Sequence, residues 1–146
     1  MNKSICARGH VVLIDDEPSS VSALQSWLEE SGLTCTVIAK VPKLLDELKR
    51  AIREYGPIRV LLFDLMLPRK LGSTGPADMA GFDLIYDRLR TKEYLDLLGN
   101  DVAVGVYTAV TNPDAMGIAK DRGLIVFPKG TPLVRIEHWC ASKCHK

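Results

Sequence analysis

Five short apolar runs punctuate this chain: VVLID (11–15), TCTVIA (34–39), RVLLFDL (59–65), VAVGVYT (102–108) and LIVFP (124–128). Each is followed by a segment with helical spacing of its apolar residues, and that alternation restricts the fold more than any other feature. The runs are brief and rich in Val, Leu and Ile, as expected of strands buried on both faces. PSSVSALQSWLEESG places Val21, Leu24, Trp27 and Leu28 on one helical face, with Gly32 available to end the helix. PKLLDELKRAIREYG does the same with Leu44, Leu48, Ala51, Ile52 and Tyr55. GFDLIYDRLRTKEYLDLL predicts one long third helix, and NPDAMGIAKDRG a short fourth with Asn112 as N-cap and Pro113 at its first position. The last helix is expected to open at Thr131-Pro132 and to carry Leu133, Ile136, Trp139 and Cys140 on one face. Strands alternating with helices in this way predict an α/β fold, a parallel sheet covered on both faces. Right-handed crossovers then narrow the topology to a doubly wound sheet.

In such sheets the ligand site lies beyond the carboxyl ends of the strands, where strand order reverses. The first strand ends in Asp15 and Asp16, with Glu17 next; the third ends in Asp64, the fourth in Thr108-Ala109, and the fifth is followed by Lys129. Taken singly, these residues suit ordinary structural roles: a pre-cap for the first helix, a strand end, a solvated edge charge. Together they place three carboxylates on one rim. Two unit charges ~4 Å apart repel by about 4 kcal/mol at an effective dielectric of 20. A hard divalent cation relieves that repulsion, and Mg²⁺ takes a couple of carboxylates while keeping waters and phosphate oxygens in its shell. With a lysine and a hydroxyl added, the set suits phosphoryl transfer, and a carboxylate can itself be the nucleophile. Asp64, leaving the most apolar strand, is the candidate phosphoacceptor.

VVLIDDEP, LLFDLMLP, VYTA and PKG, in that order, resemble the successive motifs of the receiver domain of bacterial two-component response regulators, over nearly the whole chain. The resemblance implies a flavodoxin-like (βα)5 fold with a five-stranded sheet in the order 2-1-3-4-5. It implies that Asp64 accepts a phosphoryl group from a histidine kinase or a phosphotransfer protein. Asp15 and Asp16 would hold Mg²⁺ with Asp64 and the backbone carbonyl of Met66, and Thr108 and Lys129 would contact the phosphoryl oxygens. Such a domain phosphorylates and slowly dephosphorylates itself and is not a turnover enzyme.

The chain departs from that pattern in four places. RKLGSTGPADMA (69–80) is inserted between Pro68 and Gly81 on the active-site side, and reads as a solvated loop rather than a P-loop. Lys129 is followed by Gly130 where receivers usually have proline, and Pro128 precedes it, a placement tolerable on an edge strand. The position of the receivers' switch aromatic holds Val126, and Phe127, one residue on, should face the other way. Phe127 and Tyr107 are therefore expected to be packing residues. Met66 and Val110 are apolar at positions that border the path of hydrolytic water in receivers, which predicts slow loss of the phosphoryl group.

Two other readings compete. A pseudo-receiver would use the same fold as a phosphorylation-independent protein-binding module, but it has no need of the charged rim. A phosphohydrolase of the haloacid-dehalogenase type would need an acid/base aspartate two residues after the nucleophile, where this chain has Met66.

The 146 residues suffice for one domain with a proper core, so 1–146 reads as a single domain carrying the 69–80 insert. A formal charge of +1 makes no electrostatic case for nucleic acid or an acidic membrane. No signal peptide or bilayer-spanning stretch is evident, and cytoplasmic residence is expected. Cys6, Cys35, Cys140 and Cys144 are too few and scattered for a disulfide framework, and HWCASKCHK lacks the paired spacing of a zinc site. After Lys129 only one amphipathic helix remains, so either output comes through docking to a downstream protein, around the fourth helix, fifth strand and last helix, or the chain is a fragment of a longer regulator.

Overall fold

A computed structural model describes residues 9–64, 80–109 and 113–144, without the side chains of 80–84, 114 and 115. The five apolar runs form strands β1 (His10–Ile14), β2 (Thr34–Ile38), β3 (Ile58–Phe63), β4 (Ala103–Thr108) and β5 (Ile125–Pro128). All pair in parallel in the order β2-β1-β3-β4-β5. The expected order is the observed one.

Among the described residues, six helices cover the sheet: α1 (Ser22–Glu30), α2 (Leu44–Tyr55), α3 (Ala80–Leu89), α4 (Lys92–Leu98), α5 (Pro113–Asp121) and α6 (Leu133–Cys144). Successive strand side chains point to opposite faces, so the strands feed two cores. Val11, Leu13, Val60 and Leu62 pack with Leu24 and Leu28 of α1 and with Ile136 and Cys140 of α6. Val12, Ile14, Leu61 and Phe63 pack with Leu44 and Leu48 of α2, Ile85 of α3, Tyr94 of α4 and Ala119 of α5. Among the described residues, the buried polar ones, His10, Asp15, Asp64 and Thr108, all lie at the two ends of the strands.

Four expectations about the helices need correction. The predicted long third helix is two: α3 stops at Leu89 and α4 starts at Lys92. Thr91 breaks the run, because its backbone is extended (φ −77°, ψ 154°) and its hydroxyl donates to the Arg88 carbonyl at 2.7 Å. A threonine able to bond its own backbone competes with helix continuation, and the apolar spacing alone does not reveal this. The first helix does not begin at Pro18: a 3-10 turn, Pro18–Ser20, precedes α1. Trp27 does not join the buried face of α1; it is 41% exposed and its Nε1–H donates to Glu137 of α6 at 2.7 Å. Thr131 likewise does not cap the last helix, which starts at Leu133; its hydroxyl donates to the Pro128 carbonyl at 2.7 Å.

Gly32 ends α1 as expected. Its φ of 100° allows Leu33 N–H to reach the Leu28 carbonyl and its own N–H to reach Glu29, at 3.1 Å each. Gly105 serves a different need. A Cβ there would lie 2.7 Å from Ile125 Cγ2 and 2.9 Å from Leu62 Cδ2, so only glycine lets the neighbouring side chains close over β4. Phe127 falls in the α1/α6 core with Tyr107 while Val126 packs on the opposite side, as alternation requires. Phe127 meets Trp139 edge to face at 5.6 Å.

Candidate functional site

Asp15 and Asp64 are the first residues beyond β1 and β3, and the ladder holds their backbones: Asp15 N–H donates to the Ile38 carbonyl and Asp64 N–H to the Ile14 carbonyl, both at 3.1 Å. Parallel strands therefore deliver the two carboxylates side by side. Both residues are buried, at 2% and 6% exposure, and Thr108 at the end of β4 is fully buried. Its hydroxyl donates to Asp64 Oδ1 at 2.7 Å. Lys129 follows Pro128 at the edge strand, and its N–H donates to the Thr108 carbonyl at 2.8 Å, which points the residue back over the strand ends.

The Lys129 ammonium has three donors, and three acceptors meet it. They are Asp15 Oδ2 at 2.5 Å, Ser20 Oγ at 2.8 Å and Asp64 Oδ2 at 3.1 Å. Burial on its own would lower the lysine's pKa; hydrogen bonds and charge from Asp15 and Asp64 outweigh it and raise the group above the ordinary lysine range. The ammonium also lies 5.6 Å from the centre of the Tyr107 ring, whose phenol is pushed up by burial and only partly drawn back by Lys129.

Asp15 is held from its other side. Its Oδ1 accepts from Glu17 N–H and its Oδ2 from Ser20 Oγ–H, both at 2.9 Å, which fastens the Pro18–Ser20 turn to the strand end. Ser20 was not anticipated from sequence. Hydroxyls in PSS read as helix-entry residues, and only the 3-10 turn brings the second of them back over Asp15.

Asp16 lies on the same rim but is exposed and outside this network. Partial desolvation first, then the charges of Asp15, Glu17 and Asp64, push its carboxyl above the ordinary range. Three carboxylates against one ammonium leave about two uncompensated negative charges, and all the donors are hard oxygens, which fits a Mg²⁺-sized dication in charge and chemistry. Among the described residues, no three His, Cys, Asp or Glu side chains converge closely enough to form a ready metal cage. Lys129 instead takes one oxygen from each of Asp15 and Asp64. Met66, Val110 and the insert at 69–79 lie outside the described residues.

No protein-family profile matches the chain. A 63-residue stretch is 33% identical to the TorCAD operon transcriptional regulatory protein TorR of Escherichia coli O157:H7, spanning 43% of this chain and 25% of that protein. The chain thus matches about a quarter of the length of that relative. Solved structures align over nearly all of it. The BeF3-activated N-terminal receiver domain of Klebsiella pneumoniae RstA superposes with a TM-score of 0.68 at 15% identity, covering 94% of this chain and 100% of the other. A response regulator receiver domain protein from Clostridium thermocellum gives a TM-score of 0.66 at 17% identity, covering 92% and 93% of the two chains. A CheY-like receiver domain protein from Methanospirillum hungatei gives 0.62 at 16%, covering 93% and 96%. The fold is that of response regulator receiver domains. Within this receiver fold, the Asp15–Asp64–Thr108–Lys129 group occupies the carboxyl edge of the sheet. The described helices include none long and apolar enough to cross a membrane.

The C-terminal cysteines are placed elsewhere. Cys35, Cys140 and Cys144 are buried in the α1/α6 core, while His138 is exposed. Burial pushes the Cys140 thiol up to about 12 and the Cys35 thiol well above its usual range. These are packing residues.

Proposed function

We propose that this chain is a phosphoacceptor receiver domain of a two-component system, phosphorylated on Asp64 and not a turnover enzyme. The observation that carries this reading is the environment of Asp64. One carboxylate oxygen accepts from the Thr108 hydroxyl at 2.7 Å and the other from the Lys129 ammonium at 3.1 Å. A neutral donor and a cation, both at strand ends, are what the oxygens of a transferred phosphoryl group require. A scaffold without phosphoryl chemistry would have no use for three carboxylates and a lysine at one sheet edge.

In the proposed reaction an oxygen of Asp64 attacks phosphorus and a new O–P bond forms. The P–N bond of a phosphohistidine donor breaks, and the departing imidazole keeps the electron pair and takes a proton from solvent. Thr108 and Lys129 exchange their contacts with Asp64 for contacts with phosphoryl oxygens. Asp15, Asp16, Asp64 and the Met66 carbonyl would hold Mg²⁺. The ion supplies positive charge where an anionic donor meets an acidic rim. A histidine kinase or phosphotransfer protein is the natural donor, and a downstream protein docking near α5, β5 and α6 the output, as expected in a cytoplasmic signalling chain. The apolar Met66 and Val110 make the phosphoryl group long-lived, and Met66→Asn should shorten its lifetime.

Acetyl phosphate with and without Mg²⁺, read by intact mass, tests the reading. One Mg²⁺-dependent phosphoryl adduct, lost in Asp64→Asn, supports it. Absence of both the adduct and Mg²⁺ binding favours the pseudo-receiver, a phosphorylation-independent interaction module.

A further inference from the structure

Ser20 has no part in the receiver motifs, yet its hydroxyl is the one neutral acceptor among the three that meet Lys129, between Asp15 and the lysine. It donates its single proton to Asp15 Oδ2 at 2.9 Å and accepts from Lys129 at 2.8 Å. It cannot drift, because its turn is anchored twice more: Ser20 N–H donates to the Glu17 carbonyl and Glu17 N–H to Asp15 Oδ1, both at 2.9 Å. Two of the three ammonium donors are thereby committed to the β1 side, at 2.5 and 2.8 Å. The third, on Asp64, is the longest at 3.1 Å.

We propose that Ser20 is a positioning residue that latches Lys129 onto Asp15, so that lysine and a divalent metal compete for Asp15 while the Asp64 contact stays free to pass to a phosphoryl oxygen. The proposal rests on the receiver reading for its second half only. Lysine charge sits on Asp15 Oδ2, an oxygen a metal ligand would offer. Loosening the latch frees that oxygen for metal and, by the same motion, leaves the ammonium poorly aimed at the phosphoacceptor. The two effects have opposite sign, whereas a merely disturbed site would lose both metal affinity and reactivity.

The test compares the full chain with Ser20→Ala and Ser20→Thr. Mg²⁺ affinity is followed by amide shifts, the Lys129 ammonium by its ¹⁵N-edited proton signal, and labelling by acetyl phosphate at saturating Mg²⁺. In Ser20→Ala, Mg²⁺ should bind about three- to tenfold tighter, the size expected for the net contribution of one hydrogen bond. The ammonium signal should broaden through exchange with water, and labelling should slow several-fold. Ser20→Thr keeps the hydroxyl and should restore all three. An unchanged ammonium signal in Ser20→Ala, or Mg²⁺ binding equal to or weaker than wild type, overturns the latch. Should the wild-type chain take no phosphoryl group, the receiver reading fails by itself, and the metal and ammonium measurements still decide the latch. Should it bind no Mg²⁺ either, the ammonium signal decides.

Discussion

At the end of the sheet opposite Asp64, His10 is fully buried at the start of β1. Its Nδ1 meets Thr34 Oγ1 and its Nε2 meets Thr36 Oγ1, each at 2.6 Å, and the ring stacks on Tyr55 at 4.3 Å with an 8° interplanar angle. One imidazole thus ties β1 to β2 and to the end of α2. Burial depresses its pKa from 6.5 to about 4, against a smaller upward pull from Glu54. Since the folded ring resists the proton that the unfolded chain accepts, His10 contributes stability in full above pH 6.5. That contribution declines as the pH falls and is gone near pH 4. The interval of 2.5, from 6.5 to 4, corresponds to about 3 kcal/mol at most, with a slope approaching 1.4 kcal/mol per pH unit. Urea unfolding of wild type and His10→Gln, followed by tryptophan fluorescence in half-unit steps from pH 7.5 to about 4, isolates this term. Carboxylate titrations far from the ring cancel in the difference. Wild type should be the more stable at pH 7 by a margin that shrinks toward acid. A difference that stays constant across the range would refute the reasoning. It would mean that the two threonine hydroxyls, which can rotate to accept from a charged ring, solvate it as well as water does.

Other outcomes follow from the same packing. Thr108→Val removes the 2.7 Å donor from buried Asp64 and should cost about 1.5–3 kcal/mol in denaturant unfolding, with Thr108→Ser recovering most of it. Gly105→Ala forces Ile125 or Leu62 to give way at 2.7–2.9 Å and should cost about 1–3 kcal/mol, seen as a lower midpoint with an unchanged slope. Cys35, Cys140 and Cys144 should resist a thiol reagent at pH 8 until denaturant is added, since each is buried and Cys140 titrates only near 12. Trp27→Phe removes a bond to Glu137 at an exposed position, so its effect should stay within about 1 kcal/mol.

Much of the architecture was legible in the sequence. A strand buried on both faces must be apolar at every position, and a helix on a sheet must be apolar at intervals of three and four; those two periods separate β1–β5 from the helices between them. The same logic exposed the candidate site, since Asp15 and Asp64 stand where an apolar run ends and a parallel sheet gathers its strand ends. Other features depend on particular contacts that apolar spacing does not register. Whether Thr91 interrupts a helix depends on its hydroxyl finding the Arg88 carbonyl, and propensity over eighteen residues averages that away. His10 looks like an ordinary strand residue until β2 brings Thr34 and Thr36 to its two nitrogens.

Composition and periodicity thus determined a five-stranded parallel sheet, its two cores, and a charged rim at the carboxyl end. Tertiary structure alone decided what the rim's charges do to one another. Lys129 and Asp15 are separated by 114 positions, and their strands by two others, a span of roughly 14 Å. Only the assembled sheet, the turn after β5 and the 3-10 turn at Ser20 bring ammonium, carboxylates and hydroxyl within hydrogen-bonding reach. The reason is physical: hydrophobic periodicity is a local property of the chain, whereas a hydrogen bond requires two groups at a set distance and angle, which no local pattern encodes.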